Sequence, residues 1–178
     1  DLKNRCTKIH YFGLGFIQIK LGNKDRLHVY TSKLPPIVDK EEIHDHRYDF
    51  HSIILHGNFY QELFEKITGT TYTEEYESCN EEDKRQLHTE KELALYDVNK
   101  IGEQWFSKGS VYSIENNCYH RVYSDEAITL LKRGDYKKDR ARVLRKNSDR
   151  KICPFSLKIE EDTLWSIVES VLSKAQKE

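Results

Sequence analysis

Apolar positions along the first thirty residues fall in short, dense runs. Phe12, Leu14, Phe16, Ile17 and Ile19 precede Gly22-Asn23-Lys24-Asp25, and Leu27, Val29 and Tyr30 follow it. Bounded runs of this length predict strands, and Gly-Asn supplies residues that tolerate the positive φ of a tight turn. Pro35-Pro36 breaks the pattern before residue 43 and argues against a helix there. Residues 50–66 read as two strands joined by a hairpin at Gly57-Asn58, with Ile53-Ile54-Leu55 as a buried run. Thr70 to Tyr76 alternates like an edge strand. Leu93 to Val98, Gly109 to Ile114 and Ala127 to Leu131 predict further strands. Only at the C-terminus does the period change. Leu164, Ile167, Val168, Val171 and Leu172 fall at i, i+3, i+4, i+7 and i+8, predicting a helix over about 161–176. Glu160, Glu161 and Asp162 lie at its front and Lys174 and Lys177 at its back, complementing the macrodipole. Trp165 is expected to pack this helix onto the sheet.

Many short strands followed by one helix predict an all-β sandwich or barrel with a helical appendage. The 178 residues suit a single domain, with core strands over about 9–133. Charged residues make up 33%, yet the net charge is -1. That balance excludes a polycation that binds nucleic acid by overall charge. No apolar run approaches the ~20 residues of a membrane helix, so no membrane partner is expected. No basic-then-apolar leader opens the chain, which points to the cytoplasm and to four free thiols at Cys6, Cys79, Cys118 and Cys153.

Charge is uneven locally. Residues 74–92 hold eight acids and three bases, and residues 132–151 hold ten Lys or Arg and three Asp. Both read as solvated surface segments that offset one another. The basic one also has a second reading, as a patch for an anion, a nucleotide or nucleic acid. Only Tyr136 is interleaved with it, which weighs against single-strand binding.

Four of the eight histidines lie between Ile43 and Gly57: His44, His46, His51 and His56. In a strand, residues i and i+2 share a face, so His44 and His46 can present two imidazoles to one first-row metal. Residues 109–120 read Gly-Ser-Val-Tyr-Ser-Ile-Glu-Asn-Asn-Cys-Tyr-His. This resembles the second motif of the cupin superfamily, with Gly109 and His120 at the family spacing, Glu115 in place of Pro and Asn117 in place of Gly. Asn117 is expected to take the left-handed turn. His44 and His46 fit the HxH of the first motif, and Gly57 its closing glycine. Val38 stands at the leading glycine, and Phe50 or His51 where the family has Glu. The resemblance therefore implies a jelly roll with three histidine ligands, His44, His46 and His120, and no carboxylate.

Within the cupins, residues 43–64 and 109–133 look like the metal-binding segments of the cysteine dioxygenase family. That resemblance implies Fe(II) and the addition of O2 to a thiol, with Ni, Mn and Zn open for this chain. The family's early-strand Arg falls on Phe16, its later Tyr falls on Arg133, and its cross-linking Cys has no counterpart near residue 50. The metal site carries over and the cysteine pocket does not. Arg133, a fixed cation, would suit a carboxylate or phosphate, with Glu62 and Asp97 as candidate protein partners. Tyr112 joins it as a substrate-contact candidate. His51 is a candidate to orient a metal ligand from behind, to be a fourth ligand or to act as acid/base. His56, before a glycine, reads as a surface residue, and His10, His28 and His88 as structural or exposed. Cys118 reads as a wall residue. GxSxG, HExxH, Walker and GxGxxG patterns are absent.

The expectation is a mononuclear metal-dependent cupin acting on a small polar substrate, as a non-haem iron oxygenase. The alternatives are a non-enzymatic metal or small-molecule binder, and an isomerase or hydrolase for an anionic, nucleotide-like substrate. Assembly as a homodimer is open.

Overall fold

The computed structural model describes residues 1–34, 36, 42–76, 92–146 and 157–177. Cys79, His88 and Cys153, and most of the acidic segment, lie outside them. A four-residue helix α1 (Leu2–Arg5) leads into strands β1 (Lys8–Phe12), β2 (Phe16–Lys20), β3 (Asp25–Thr31), β4 (Ile43–His44) and β5 (Phe50–Tyr76). Then come β6 (Glu92–Ser107), β7 (Val111–Ile114), β8 (Tyr119–Tyr123), β9 (Glu126–Arg133), β10 (Arg142–Lys146) and helix α2 (Glu161–Ala175). Every described pairing is antiparallel.

Two faces organise the molecule. The first half of β5 pairs with β9 and β7, extending the order β1-β2-β3-β9. Its second half pairs with β6, β8 and β10, while β4 lies between β8 and β10. On one face of β2, β3 and β9, Ile17, Ile19, Leu27, Val29 and Ile128 meet Leu164, Trp165, Val168 and Val171 of α2. On the other face Phe16, Tyr30 and Ala127 meet Phe59 and Phe106 from the second sheet. β2 is thus covered on both sides, which is why its first four residues, Phe16 to Ile19, are all buried. The amphipathic stripe of α2 is buried as its period requires, and Trp165 both packs on the sheet and donates its indole N–H to Glu161 at 3.1 Å. No helix among the described residues is long and apolar enough to cross a membrane.

Several expectations are corrected. Gly57-Asn58 is not a hairpin: β5 runs through it for 27 residues. Gly57 has φ +73°, with a register shift against β9 between Ile54 and His56. A bulge and a hairpin both recruit a positive-φ glycine, and sequence does not separate them. The Phe12–Ile19 run is divided by a turn, with Gly15 N donating to Phe12 O at 3.0 Å. Thr70 to Tyr76 is no edge, because Tyr72 to Glu75 pair with both β6 and β10. Asn117 keeps negative φ, since no described non-glycine residue has positive φ. Among its described residues, which end at 146, the basic segment is solvated only in part: Lys137 and Arg140 are exposed, but the chain then enters the sheet. Ala141, Val143 and Leu144 are buried in and beside β10. In the acidic stretch Glu74 and Glu75 are buried too, with Arg142 and Arg145 as respective ion partners.

Gly57 is therefore the point where one strand leaves one sheet for the other. A Cβ there would overlap the carbonyl oxygen of Glu126 and stand 3.0 Å from the Ala127 Cα, both backbone. Gly22 has a similar φ of +94° but nothing within 4 Å. Gly22→Ala is expected to cost about 1 kcal/mol, the cost of the backbone conformation alone. Gly57→Ala is expected to cost about 3 kcal/mol or more, because β9 must also move. Urea denaturation checks the pair, and equal losses would remove the close approach as the explanation.

Candidate metal centre

His44 ends β4, His46 follows two residues on, and His120 lies on β8 directly opposite His44 in the antiparallel pairing. The register thus sets the first and last of these side by side. The His46 amide donates to Asn116 O at 3.3 Å, tying the third ring to the turn before β8. The ring centroids are 4.9 to 5.1 Å apart. One ring nitrogen from each residue falls within 4.8 Å of the others, and His46 Nε2 lies 2.7 Å from His120 Nε2. His44 Nδ1 lies 3.2 Å from Glu42 O, an acceptor only. That bond places the proton on Nδ1 and leaves Nε2 its lone pair.

Burial, followed by repulsion from the neighbouring imidazoles, holds His46 well below its ordinary pKa. Burial and His44 do the same for His120. Neutral, convergent nitrogens are what a divalent first-row cation requires, and metal–nitrogen bonds of about 2.0–2.1 Å place donors roughly 3 Å apart. The residues fit such an ion. His120 Nδ1 is buried with no hydrogen-bond partner, so its ring is held by packing rather than by a second bond.

The walls around the triad are aromatic and aliphatic. Phe50 packs edge-on to His46 at 4.9 Å and lies 6.3 Å from His120. Tyr48 lies 6.0 Å from His46. Tyr48, Phe50, Ile114 and Leu131 form one cluster, with Leu63, Tyr112 and Cys118 against it. Cys118 and Cys6 are free thiols. Tyr112 is one ring further out, 6.0 Å from Phe50 and stacked on Phe106 at 4.8 Å. Burial pushes its hydroxyl up to about 12, so it stays protonated.

Arg133 shares its strand face with the buried Leu131, while Lys132 between them is exposed. Its guanidinium lies over Tyr136 at 4.3 Å and Tyr48 at 5.5 Å, and Nη1 donates to Gly134 O at 3.0 Å. Its Nε is buried without a hydrogen-bond partner. Neither expected acid reaches it. Glu62 pairs with Arg121 and Lys100, and Asp97 accepts from the amides of Thr70 and Thr71.

His51 is also corrected. Strand alternation gives Phe50 the inward position, so His51 is exposed on the opposite face, bonded to Ser113 Oγ at 2.6 Å. It cannot serve the triad as ligand or acid/base. His56 is buried, not a surface residue, because β5 continues past it; its Nε2 lies 3.7 Å from Glu126 Oε1.

Two polar groups carry no signal in the sequence. On the inner face of β2 and β3, His28 Nε2 lies 3.3 Å from Gln18 Nε2, and Arg26 Nη1 donates to Gln18 Oε1 at 3.3 Å. Arg26 also lies 5.4 Å over Tyr48. Behind the triad, Asp45 is 0% exposed. It accepts from Lys138 Nζ at 2.5 Å, Arg142 Nε at 2.8 Å and the Arg142 amide at 2.6 Å. Lys138 Nζ also donates to Asn116 O at 2.9 Å. Alternation could have shown that Asp45 faces away from the two histidines, but no sequence signal pairs it with residues almost a hundred positions later.

No family model matches the chain, and no curated protein does. Among solved structures it is similar to the crystal structure of hydroquinone 1,2-dioxygenase from Sphingomonas sp. TTNP3 with 4-hydroxybenzoate bound. The identity is 12% and the TM-score 0.35, over 64% of this chain and 60% of that one. The chain thus spans about 60% of that dioxygenase chain.

Burial, then Arg26 and His10, lowers His28 to about 3. In the unfolded chain a histidine titrates near ~6.5. Below that pH the unfolded chain takes up a proton that folded His28 refuses, so stability falls as pH drops from about 6.5 toward about 3. Between pH 7 and 5 this single group is expected to remove about 2 kcal/mol. His28→Gln should shrink the pH 7 to pH 5 difference in urea-denaturation stability by that amount. An unchanged difference would mean that His28 titrates normally.

Proposed function

We propose that the chain is a cupin-type, mononuclear metal enzyme acting on a small polar substrate, an oxygenase of the non-haem iron kind. One observation carries the reading: three imidazoles, from two paired segments, converge with no carboxylate among them beside an aromatic and aliphatic wall. Such a set leaves a divalent ion its full charge and open positions, which suits joint binding of O2 and a substrate. The resemblance of residues 43–64 and 109–133 to thiol dioxygenases favours Fe(II) and a thiol-bearing substrate.

The chain's own groups have separate tasks in this reading. The His44 Nδ1–H bond to Glu42 O fixes that ring so that Nε2 faces the centre. Phe50, Tyr48 and Leu131 exclude bulk water. Arg133, with its unpartnered Nε, holds an anionic group of the substrate at the rim. Tyr112 supplies a protonated hydroxyl deeper in the interior.

Protein purified without chelator is expected to carry close to one metal per chain by elemental analysis. His44→Ala, His46→Ala and His120→Ala should each drop well below that, and full occupancy in all three would sink the site. Oxygen uptake with a panel of small thiols should require the metal. Arg133→Leu should leave metal content unchanged and weaken binding of acidic thiols more than neutral ones. Stoichiometric metal with no uptake on any member would favour the ligand-binding alternative.

A further inference from the structure

Asp45 stands between two histidines of the triad, yet its side chain points the other way into a closed pocket of cations. Nothing in the proposed chemistry uses it. A carboxylate fully removed from water is costly unless it is paired and hydrogen-bonded, and here it is: Lys138, the Arg142 guanidinium and the Arg142 amide all donate to it. The bonds are reciprocal along the backbone, because the Asp45 amide donates to Arg142 O at 3.0 Å. Residue 45 is therefore fixed to residue 142 through both main chain and side chain.

Two more contacts extend the grip to all three histidines. His44 pairs with Val143 on one side and His120 on the other. Lys138 Nζ bridges Asp45 to Asn116 O, the same carbonyl that accepts from the His46 amide. The ion cluster thus ties the first histidine segment to the turn that launches β8. β4 itself has two residues, too few to hold a register alone.

We infer that Asp45, with Lys138 and Arg142, forms a latch that positions the three histidines, so that metal affinity depends on a charged contact made on the far side of the ligand segment. The inference rests on the metal reading above. Asp45 is a positioning residue here, and Lys138 and Arg142 support the centre from behind.

Co(II) alone is the probe, because its visible d–d absorption reports ligand geometry as well as affinity. Asp45→Asn is expected to weaken Co(II) binding at least tenfold and to alter the band shape, in the range found for outer groups that orient metal ligands. Val168→Ala, in the α2 core far from the site, serves as a control that loses stability and should keep affinity within twofold with an unchanged spectrum. Wild-type affinity and spectrum in Asp45→Asn, or a matching loss in Val168→Ala, would overturn the latch while leaving the metal reading intact. If Asp45→Asn does not fold, Lys138→Met decides. It is expected to weaken binding in the same way, and unchanged affinity overturns the latch. A wild-type chain that binds no Co(II) overturns the metal reading and the latch together.

Discussion

A carboxylate with no exposure to water sits at the centre of the three-residue segment that carries two of the candidate ligands. Its burial is tolerable only while Lys138 and Arg142 are in place. This constraint runs in both directions. The cations draw β10 against β4, and β10 in turn closes onto the far end of β5. Arg142 lies 3.7 Å from Glu74, which also accepts from Lys66 at 2.6 Å and from the hydroxyl of Tyr119, the neighbour of His120. One continuous polar network therefore backs β4 and β8, while the faces they turn inward are imidazole, aromatic and aliphatic.

The second constraint is the length of β5. A strand of 27 residues spans both sheets, so the register of each depends on the other. Before Gly57 its inward positions, Phe50, Ser52 and Ile54, face the interior from the first sheet. After it, Leu63 pairs with His120 and Phe64 with Tyr119. A one-residue slip would turn every side chain to the opposite face. The bulge at Ile54 to His56 absorbs the extra residue and lets the strand bend without such a slip.

The parts of this arrangement that periodicity encodes were readable in the chain. His44 and His46 share a face by the two-residue period, and α2 declares itself by its apolar stripe. His120 was found through the spacing of a motif, since nothing local to Tyr119-His120-Arg121 marks a ligand. What could not be read depends on partners distant in sequence. Ten cations over residues 132–151 look like a solvated face, because charge composition does not record whether an acid lies opposite. Lys138 and Arg142 become structural only through Asp45, and Arg145 only through Glu42 and Glu75. Alternation sets Arg133 on the face of Leu131, yet its neighbours are tyrosine rings rather than Glu62 or Asp97. His51 failed for a local reason: two adjacent residues compete for one inward position, and the larger apolar ring takes it.

The charge balance of the interior argues for the kind of molecule that completes it. Asp45 is already matched by Lys138 and Arg142, and Glu74 by Lys66 and Arg142, so neither offers charge to the triad. Burial holds the His46 and His120 imidazoles neutral. Among the described residues, Arg26 and Arg133 both lie over Tyr48, which itself packs on His46. On the proposed reading, a divalent ion held by three imidazoles next to two guanidinium groups would leave a large excess of positive charge in a medium that screens it poorly. On the same reading, with no carboxylate in the donor set among the described residues, that excess would be relieved by anions from outside, such as a thiolate or carboxylate of the substrate. On that reading, the absence of an acidic ligand and the two arginines over Tyr48 are two sides of one electrostatic requirement.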